Sequence, residues 1–479
     1  MERTGTPDTD LDEARSAVAG RSWPRAYERF AVAATERPLG PEDLEAFARA
    51  AYWTGRAAES ITLREGAYAG YVERGDDPRA ALCALTLHRQ HASMLQDSLA
   101  AAWLRRAERL LADGRGTEAH GFLAIGHADA ARALGDFTKA LALVERARDI
   151  AERTAERDLA AWAQMRRGMF LADQGRVERG LALMEEVAAG AAGGELGTFT
   201  TGAVFANMVS LCRDLAEYRR GSQWCDVALR WCERQAIVGF PGIFRTHRAE
   251  VMRMRGRLDD AEREAHAAWE ELQGFSPVHA GAAQHERGEI HLRRGDLSAA
   301  DDAFRRAREL GEDPQPGLAL LALERGDAGA AATSISRSLR IAAFDRFARA
   351  RMLPAQAEIA LAAGDADIAR AARNELREIA DQIPSPAIRA AADRAAGALA
   401  LLEGDAGRAI DHLRDAARRW GDVGMPFEAA KAKVLLAGAL VAEGDGSAAA
   451  VELEVASAAF ERLGARLESL RATQLRARI

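Results

Sequence analysis

An all-α solenoid, a right-handed superhelix of about twelve helix-turn-helix units, is the fold this sequence predicts. Three observations point there. Hydrophobic residues fill 48% of the 479 positions while aromatics fill only 6%. A core of that composition is built from alanine and leucine on closely approaching helices, since alanine combines the highest helix propensity with the smallest side chain. Runs of Val, Ile, Thr and Tyr with period two, the mark of strands, are essentially missing. Glycine turns recur between amphipathic stretches about every 40 residues, which is the signature of a repeat architecture.

The units follow in order along the chain. The polar, acidic residues 1–10 are expected to be disordered, and residues 11–479 to form one solenoid. Gly20-Arg21 begins the series of turns, and Gly55, Gly135, Gly175, Gly256, Gly295, Gly326, Gly364, Gly404 and Gly444 continue it. Leu95-Gln96-Asp97 and Leu215-Ala216-Glu217 stand in where the glycine is missing. One short unit of 31 residues separates Gly295 from Gly326. A residue in the left-handed region just past a helix end satisfies the last carbonyls, and glycine does so without a side-chain clash. The Asp that often follows can cap the next helix by accepting from its free amides. Between turns the apolar residues keep helical spacing, as in Phe137, Ala140, Val144, Ala147 and Ala151.

The unit around Gly295 carries a family resemblance. Gly288 stands seven residues before the turn, and Leu297, Ala300, Phe304 and Ala307 follow it at tetratricopeptide spacing. Small residues recur at matching places, among them Gly168, Gly397, Ala261 and Ala409, where helices are expected to cross closely. The chain thus resembles a tetratricopeptide-repeat protein. Its longer units resemble the sensor solenoids of LuxR-type transcription regulators of actinobacteria, including the large ATP-binding ones. Segments that carry this second likeness are Arg230 to Gln235 with Gly239-Phe240-Pro241-Gly242, then Asp313 to Leu318, and Pro426 to Lys431 with Ala459 to Gly464. The resemblance implies a regulatory or signalling role. In those regulators a DNA-binding helix-turn-helix follows the solenoid, and here the chain reaches Ile479 about where it would begin. The expectation is a solenoid working without that module.

The formal net charge of -7 argues against a nucleic-acid binder, which usually carries a basic balance or stripe. The basic cluster Arg466, Arg471, Arg476 and Arg478 reads as the solvated face of a closing helix. Cys83, Cys212, Cys225 and Cys232 are too few and too irregular for a disulfide framework or zinc site and are expected to be buried thiols. With no signal pattern and no apolar run of membrane-spanning length, a cytoplasmic protein is expected. His88 and His91 lack a third ligand, and the glycine-rich stretch Gly190 to Gly197 lacks the Lys-Ser/Thr of a phosphate loop and reads as a long inter-repeat loop. No catalytic residue, metal site or cofactor is expected.

What remains is a binding surface. In tetratricopeptide folds the first helix of each pair lines the concave side. Carried over unit by unit, that geometry puts Phe205, Asn207, Thr246, Glu250, Arg253, His285, Glu289 and Arg293 in a groove, with Met165, Met169 and Asp173 one unit earlier. Carboxylates, guanidinium groups and polarizable surface suit a peptide or a modest polar ligand. The leading expectation is a non-enzymatic protein- or peptide-binding scaffold acting as sensor or adaptor in signalling or transcriptional regulation. The alternatives are a regulator acting on DNA directly or as a dimer, and a small-ligand sensor. A protein or peptide partner is expected, with a small-molecule effector and self-association left open, and with neither membrane nor direct nucleic-acid binding.

Overall fold

The computed structural model describes residues 7–112, 114 and 116–479. Its named elements are all α-helices, arranged as twelve consecutive antiparallel pairs and one closing helix. The first pairs are α1 (Pro7–Ala19) with α2 (Trp23–Glu36), α3 (Pro41–Trp53) with α4 (Ala57–Glu73), and α5 (Asp77–Ser93) with α6 (Asp97–Leu110). Next come α7 (Glu118–Ala133) with α8 (Phe137–Thr154), α9 (Arg157–Asp173) with α10 (Val177–Ala192), and α11 (Thr198–Asp214) with α12 (Tyr218–Arg234). The middle continues with α13 (Pro241–Met254) and α14 (Leu258–Leu272), α15 (Pro277–Arg294) and α16 (Leu297–Glu309), and α17 (Gly317–Glu324) and α18 (Ala328–Ile341). The last pairs are α19 (Arg346–Ala362) with α20 (Ala366–Gln382), α21 (Pro386–Leu402) with α22 (Ala406–Asp422), and α23 (Pro426–Ala442) with α24 (Gly446–Leu463). Helix α25 (Arg466–Arg476) packs on the final pair. The short unit after Gly295 owes its length to α17, which has only 8 residues.

The turns form as local chemistry dictates. Gly135 has φ +78°, and the amide of Asp136 behind it donates to the Ala131 carbonyl at 2.9 Å, closing the end of α7. Asp136 then accepts from the Lys139 amide and caps α8. Asp76, Asp296, Asp327, Asp365, Asp405 and Asp445 do the same for their helices. Within the pairs α5–α6 and α11–α12, whose turns lack the glycine, Leu95 (φ +60°) and Ala216 (φ +58°) occupy the left-handed position themselves, as Arg21 does beside Gly20. That conformation costs an L-residue about 1–2 kcal/mol, so these turns are held by what surrounds them.

Small residues sit where helices cross. A Cβ on Gly288 of α15 would overlap the Phe304 ring of α16, and one on Gly397 of α21 would come within 2.5 Å of Leu413 Cγ on α22. Gly168 of α9 faces the Gly180 carbonyl of α10 at 2.9 Å from the Cβ position. Ala261, Ala300 and Ala409 are fully buried.

Two expectations about local order need correction. Of the disordered stretch expected at residues 1–10, residues 1–6 lie outside the described residues, but α1 is helical from Pro7. Asp10 pairs with Arg29 of α2 at 2.8 Å and Leu11 packs with Phe30, so a neighbouring helix supplies the order that composition does not. The glycine-rich stretch is shorter as a loop than expected. Gly190 to Ala192 form the last turn of α10, and only residues 193–197 connect it to α11.

The solenoid winds back on itself about every five to six pairs. The Val238 amide, ahead of α13, donates to the Trp53 carbonyl at the end of α3 at 3.0 Å. Arg21 donates to the Leu196 carbonyl 175 residues on, and Ser276 to the Ser93 carbonyl 183 residues back. Aromatic rings fill the contact: Trp53 lies edge-on to Trp231 (6.3 Å) and Phe240 (5.4 Å), and Tyr52 lies 4.9 Å from Phe275. Trp231 and Phe240 are therefore core residues joining neighbouring coils. All four cysteines are free and buried, as expected, and burial pushes the Cys83 and Cys212 thiols up to about 12.

Candidate functional site

Coiling turns the concave face into a lumen. A cavity of about 790 Å³ is lined mainly by α11, α13, α15, α17, α19, α21 and α23, the first helices of their pairs, with α25 at one end. Seven of the eight expected groove residues line it: Asn207, Thr246, Glu250, Arg253, His285, Glu289 and Arg293. Phe205 does not. It is fully buried, with its ring 5.8 Å from that of Trp231. The reason is register: the left-handed residue of that turn is Ala216, so the position equivalent to Thr246 and His285 is Ala206, which does line the cavity. One residue of error rotates a side chain by about 100°. Met165 is likewise core, and Asp173 is buried in a pair with Arg132 of α7, so the groove does not extend to α9 as expected.

The lining is a network of ions. Arg253 donates Nε and Nη2 to the two Glu286 oxygens at 2.6 and 3.0 Å, and its Nη1 lies 3.7 Å from Glu289. His285 bridges Glu289 (3.7 Å) and Glu312 (3.2 Å). Arg293 lies 3.1 Å from Glu428, with its guanidinium 4.4 Å over the Phe427 ring. Lys431 donates to Glu358 at 2.8 Å, and Arg394 stands between Glu358 and Glu428. Some pairs bind segments far apart in sequence: Arg351 of α19 reaches Asp214 of α11 at 2.5 Å, and Arg471 of α25 reaches Glu324 of α17 at 2.6 Å.

Burial works against every charge here, and partners decide which survive. Burial opposes the charge on Glu250, Glu289 and Glu358. His247 and Arg213 outweigh it at Glu250, His285 and Arg253 at Glu289, and Lys431 and Arg394 at Glu358, and each is held at about 2. His285 also loses water, but Glu289 and Glu312 raise it to about 9. Glu286 goes the other way. Burial, reinforced by Glu250 and Glu289, prevails over Arg253 and raises it.

The wall is nevertheless not neutral. Ten aspartate and glutamate side chains face six arginine and lysine side chains around the cavity. An apolar branch of about 270 Å³ opens from the same charged junction, walled by Leu361, Val434, Leu435 and Phe460 and rimmed by Glu358, Arg394 and Lys431. The terminal basic cluster is partly paired, with Arg471 on Glu324 at the cavity and Arg476 3.7 Å from the exposed Glu454. Among the described residues no three His, Cys, Asp or Glu side chains are grouped to hold a metal, and no helix is long and apolar enough to cross a membrane.

Sequence reasoning missed Glu358, Arg394, Glu428 and Lys431. The first two were legible. Glu358 stands six residues before Gly364, as Glu250 does before Gly256, and Arg394 stands ten before Gly404, as His285 does before Gly295. Glu428 and Lys431 reach the lumen because α23 closes the ring against α15 and α19, which no local pattern encodes.

No family model matches the chain, and no curated protein matches it. Among solved structures it is similar to the crystal structure of the APC/C hetero-tetramer Cut9-Hcn1. Identity is 12%, coverage is 98% of this chain and 96% of that one, and the TM-score is 0.40. The repeat itself, in its paired helices, left-handed turns and small crossing residues, is tetratricopeptide-like.

Proposed function

We propose that this protein is a non-catalytic binding scaffold whose lumen takes an extended, cationic peptide segment. The observation that carries the reading is the excess of carboxylates, several of them buried, around one half-open cavity. Unbalanced negative charge at low dielectric is unfavourable until a cation enters, and a cleft lined by one sign of charge concentrates ligands of the other. Arg253, Glu286 and Arg293 are each less than a tenth exposed, so a folded partner cannot reach them, whereas an extended chain can. The apolar branch beside Glu358 offers room for a leucine or phenylalanine next to the basic residue.

In that reading the scaffold is a sensor or adaptor in bacterial signalling or transcriptional regulation, the role supported by the resemblance of Pro426 to Lys431 and Ala459 to Gly464 to LuxR-type sensor solenoids. A small organic cation is the second reading, favoured by a cavity volume within the usual range for small-molecule sites.

The test is fluorescence anisotropy with labelled pentadecapeptides that are basic, neutral or acidic, with spermidine as competitor. Basic peptides should bind most tightly, and the triple variant Glu250→Gln, Glu289→Gln, Glu358→Gln should weaken them at least tenfold while circular dichroism stays unchanged. Equal affinity for basic and acidic peptides would sink the proposal. Spermidine binding in place of any peptide would establish the small-cation reading.

A further inference from the structure

Away from the acidic cavity, α4 and α5 carry two arginines without a carboxylate partner. Six residues before each turn, a first helix presents one side chain to the inside. In α13, α15 and α19 that residue is Glu250, Glu289 and Glu358; in α5 it is Arg89. Arg89 of α5 lies with its guanidinium 5.1 Å over the Phe199 ring of α11. Behind it is Arg64 of α4, 6% exposed, whose Nε donates to Gln90 at 3.3 Å. Among the described residues neither arginine has a carboxylate within ion-pair distance, unlike the buried Arg253 and Arg293. The carboxylate that acts on Arg64 is that of Glu45, which accepts the Tyr71 hydroxyl at 3.0 Å. Burial and the charge of Arg64 together lower Arg89 to about 10.

Arg89 is half-buried: one of its terminal nitrogens donates to the Thr86 hydroxyl at 3.2 Å, while its Nε is buried without a partner. A buried and a half-buried guanidinium, close enough to repel and lacking an anion, are unfavourable unless something compensates them. The ring of Tyr52 belongs to the same place: it lies 6.4 Å from Phe199 and 4.9 Å from Phe275, and both arginines act on its hydroxyl, which makes no hydrogen bond among the described residues. Phe199 in turn stacks on Trp162 at 6.4 Å, interplanar angle 15°. Planar guanidinium forks match the oxygens of a carboxylate or phosphate two at a time, and ring faces beside them take an aromatic group.

We infer that Arg64, Arg89, Tyr52 and Phe199 form a binding site for an oxyanion carried on an aromatic ring, an aryl phosphate or aryl carboxylate. The site stands on its own residues and is independent of how the acidic cavity is occupied. A ligand there ties α4 and α5 to α11 and so bridges neighbouring coils.

The experiment is isothermal titration calorimetry and thermal unfolding of the full chain with phenyl phosphate, with inorganic phosphate and benzyl alcohol as the two half-ligands. Phenyl phosphate should bind saturably at one equivalent and raise the midpoint of unfolding. Each half-ligand should bind at least tenfold more weakly. Arg89→Gln should lose phenyl phosphate at least tenfold while retaining its helicity, and Arg370→Gln, an exposed residue paired with Asp367 and Glu403, should bind like the parent. If Arg89→Gln does not fold, Arg89→Lys makes the same comparison, since it keeps the charge and loses the fork. Absence of saturable phenyl phosphate binding, or unchanged binding by the Arg89 variant, would overturn the site. Inorganic phosphate binding as tightly as phenyl phosphate would overturn its aromatic half.

Discussion

Early and late coils use the same turn in different surroundings. Gly135, Gly175, Gly256 and Gly295 have φ near +80° and lie against another coil: Gly135 against Phe344, Gly175 against the Gln382 carbonyl, Gly256 against Leu463 and Gly295 against Leu467. Gly326, Gly364, Gly404 and Gly444 have the same φ and meet nothing within 4 Å. The conformation is therefore a requirement of ending a helix, common to all of them. The close approach is a second requirement, present only where the solenoid winds past itself. Charge differs along the chain as well: Arg64 and Arg89 of the early units have no carboxylate within ion-pair distance, whereas the later units line a carboxylate-rich cavity.

The largest effect is expected at a docked turn. Gly256→Ala combines a left-handed alanine with overlap of Leu463 and should cost about 3 kcal/mol, read by denaturant unfolding. It should also raise amide exchange in α24 and α25, the far side of that contact. Exchange unaffected there would break the comparison.

Next is the charge on the late wall. His285 is raised in the folded state above its unfolded value, so its contribution is complete below about pH 6.5 and is lost as pH rises to about 9. His285→Asn should remove that slope, worth at most about 3 kcal/mol, from stability measured across this window. A parent protein whose stability is flat from pH 6.5 to 9 would show that His285 is not held charged.

Smaller still, Gly404→Ala at a bare turn should cost only the left-handed strain, about 1 kcal/mol. A loss as large as that of Gly256→Ala would mean that turn geometry alone explains both classes.

Capping sharpens the contrast from the other side, because it is local. Asp136→Ala and Asp405→Ala should each cost about 1 kcal/mol, equally in early and late coils. The smallest effect is expected for the half-exposed Arg471 with Glu324, where a double-mutant cycle should give a coupling of about 1 kcal/mol or less that fades with salt.

Much of this was legible in residues. The turns at Leu95-Gln96-Asp97 and Leu215-Ala216-Glu217 could be placed to within a residue from spacing alone because the helix period forces the turn to recur. Gly288 could be placed at a crossing because only a small residue admits the Phe304 ring. The groove was legible to the accuracy of its register, and Phe205 marks the limit: one position of error on a helix moves a side chain from lumen to core.

By itself the sequence determined the repeat, its helix ends and its caps, since all of these follow from interactions within one or two helical turns or between adjacent helices. The tertiary structure decided how tightly the solenoid coils. That pitch brings Trp53 to Trp231, Arg351 to Asp214 and Arg293 to Glu428, and it narrows an open groove into a charged lumen. It is the accumulated result of small rotations at every helix interface. No single stretch of sequence states that sum, and only the packed chain shows it.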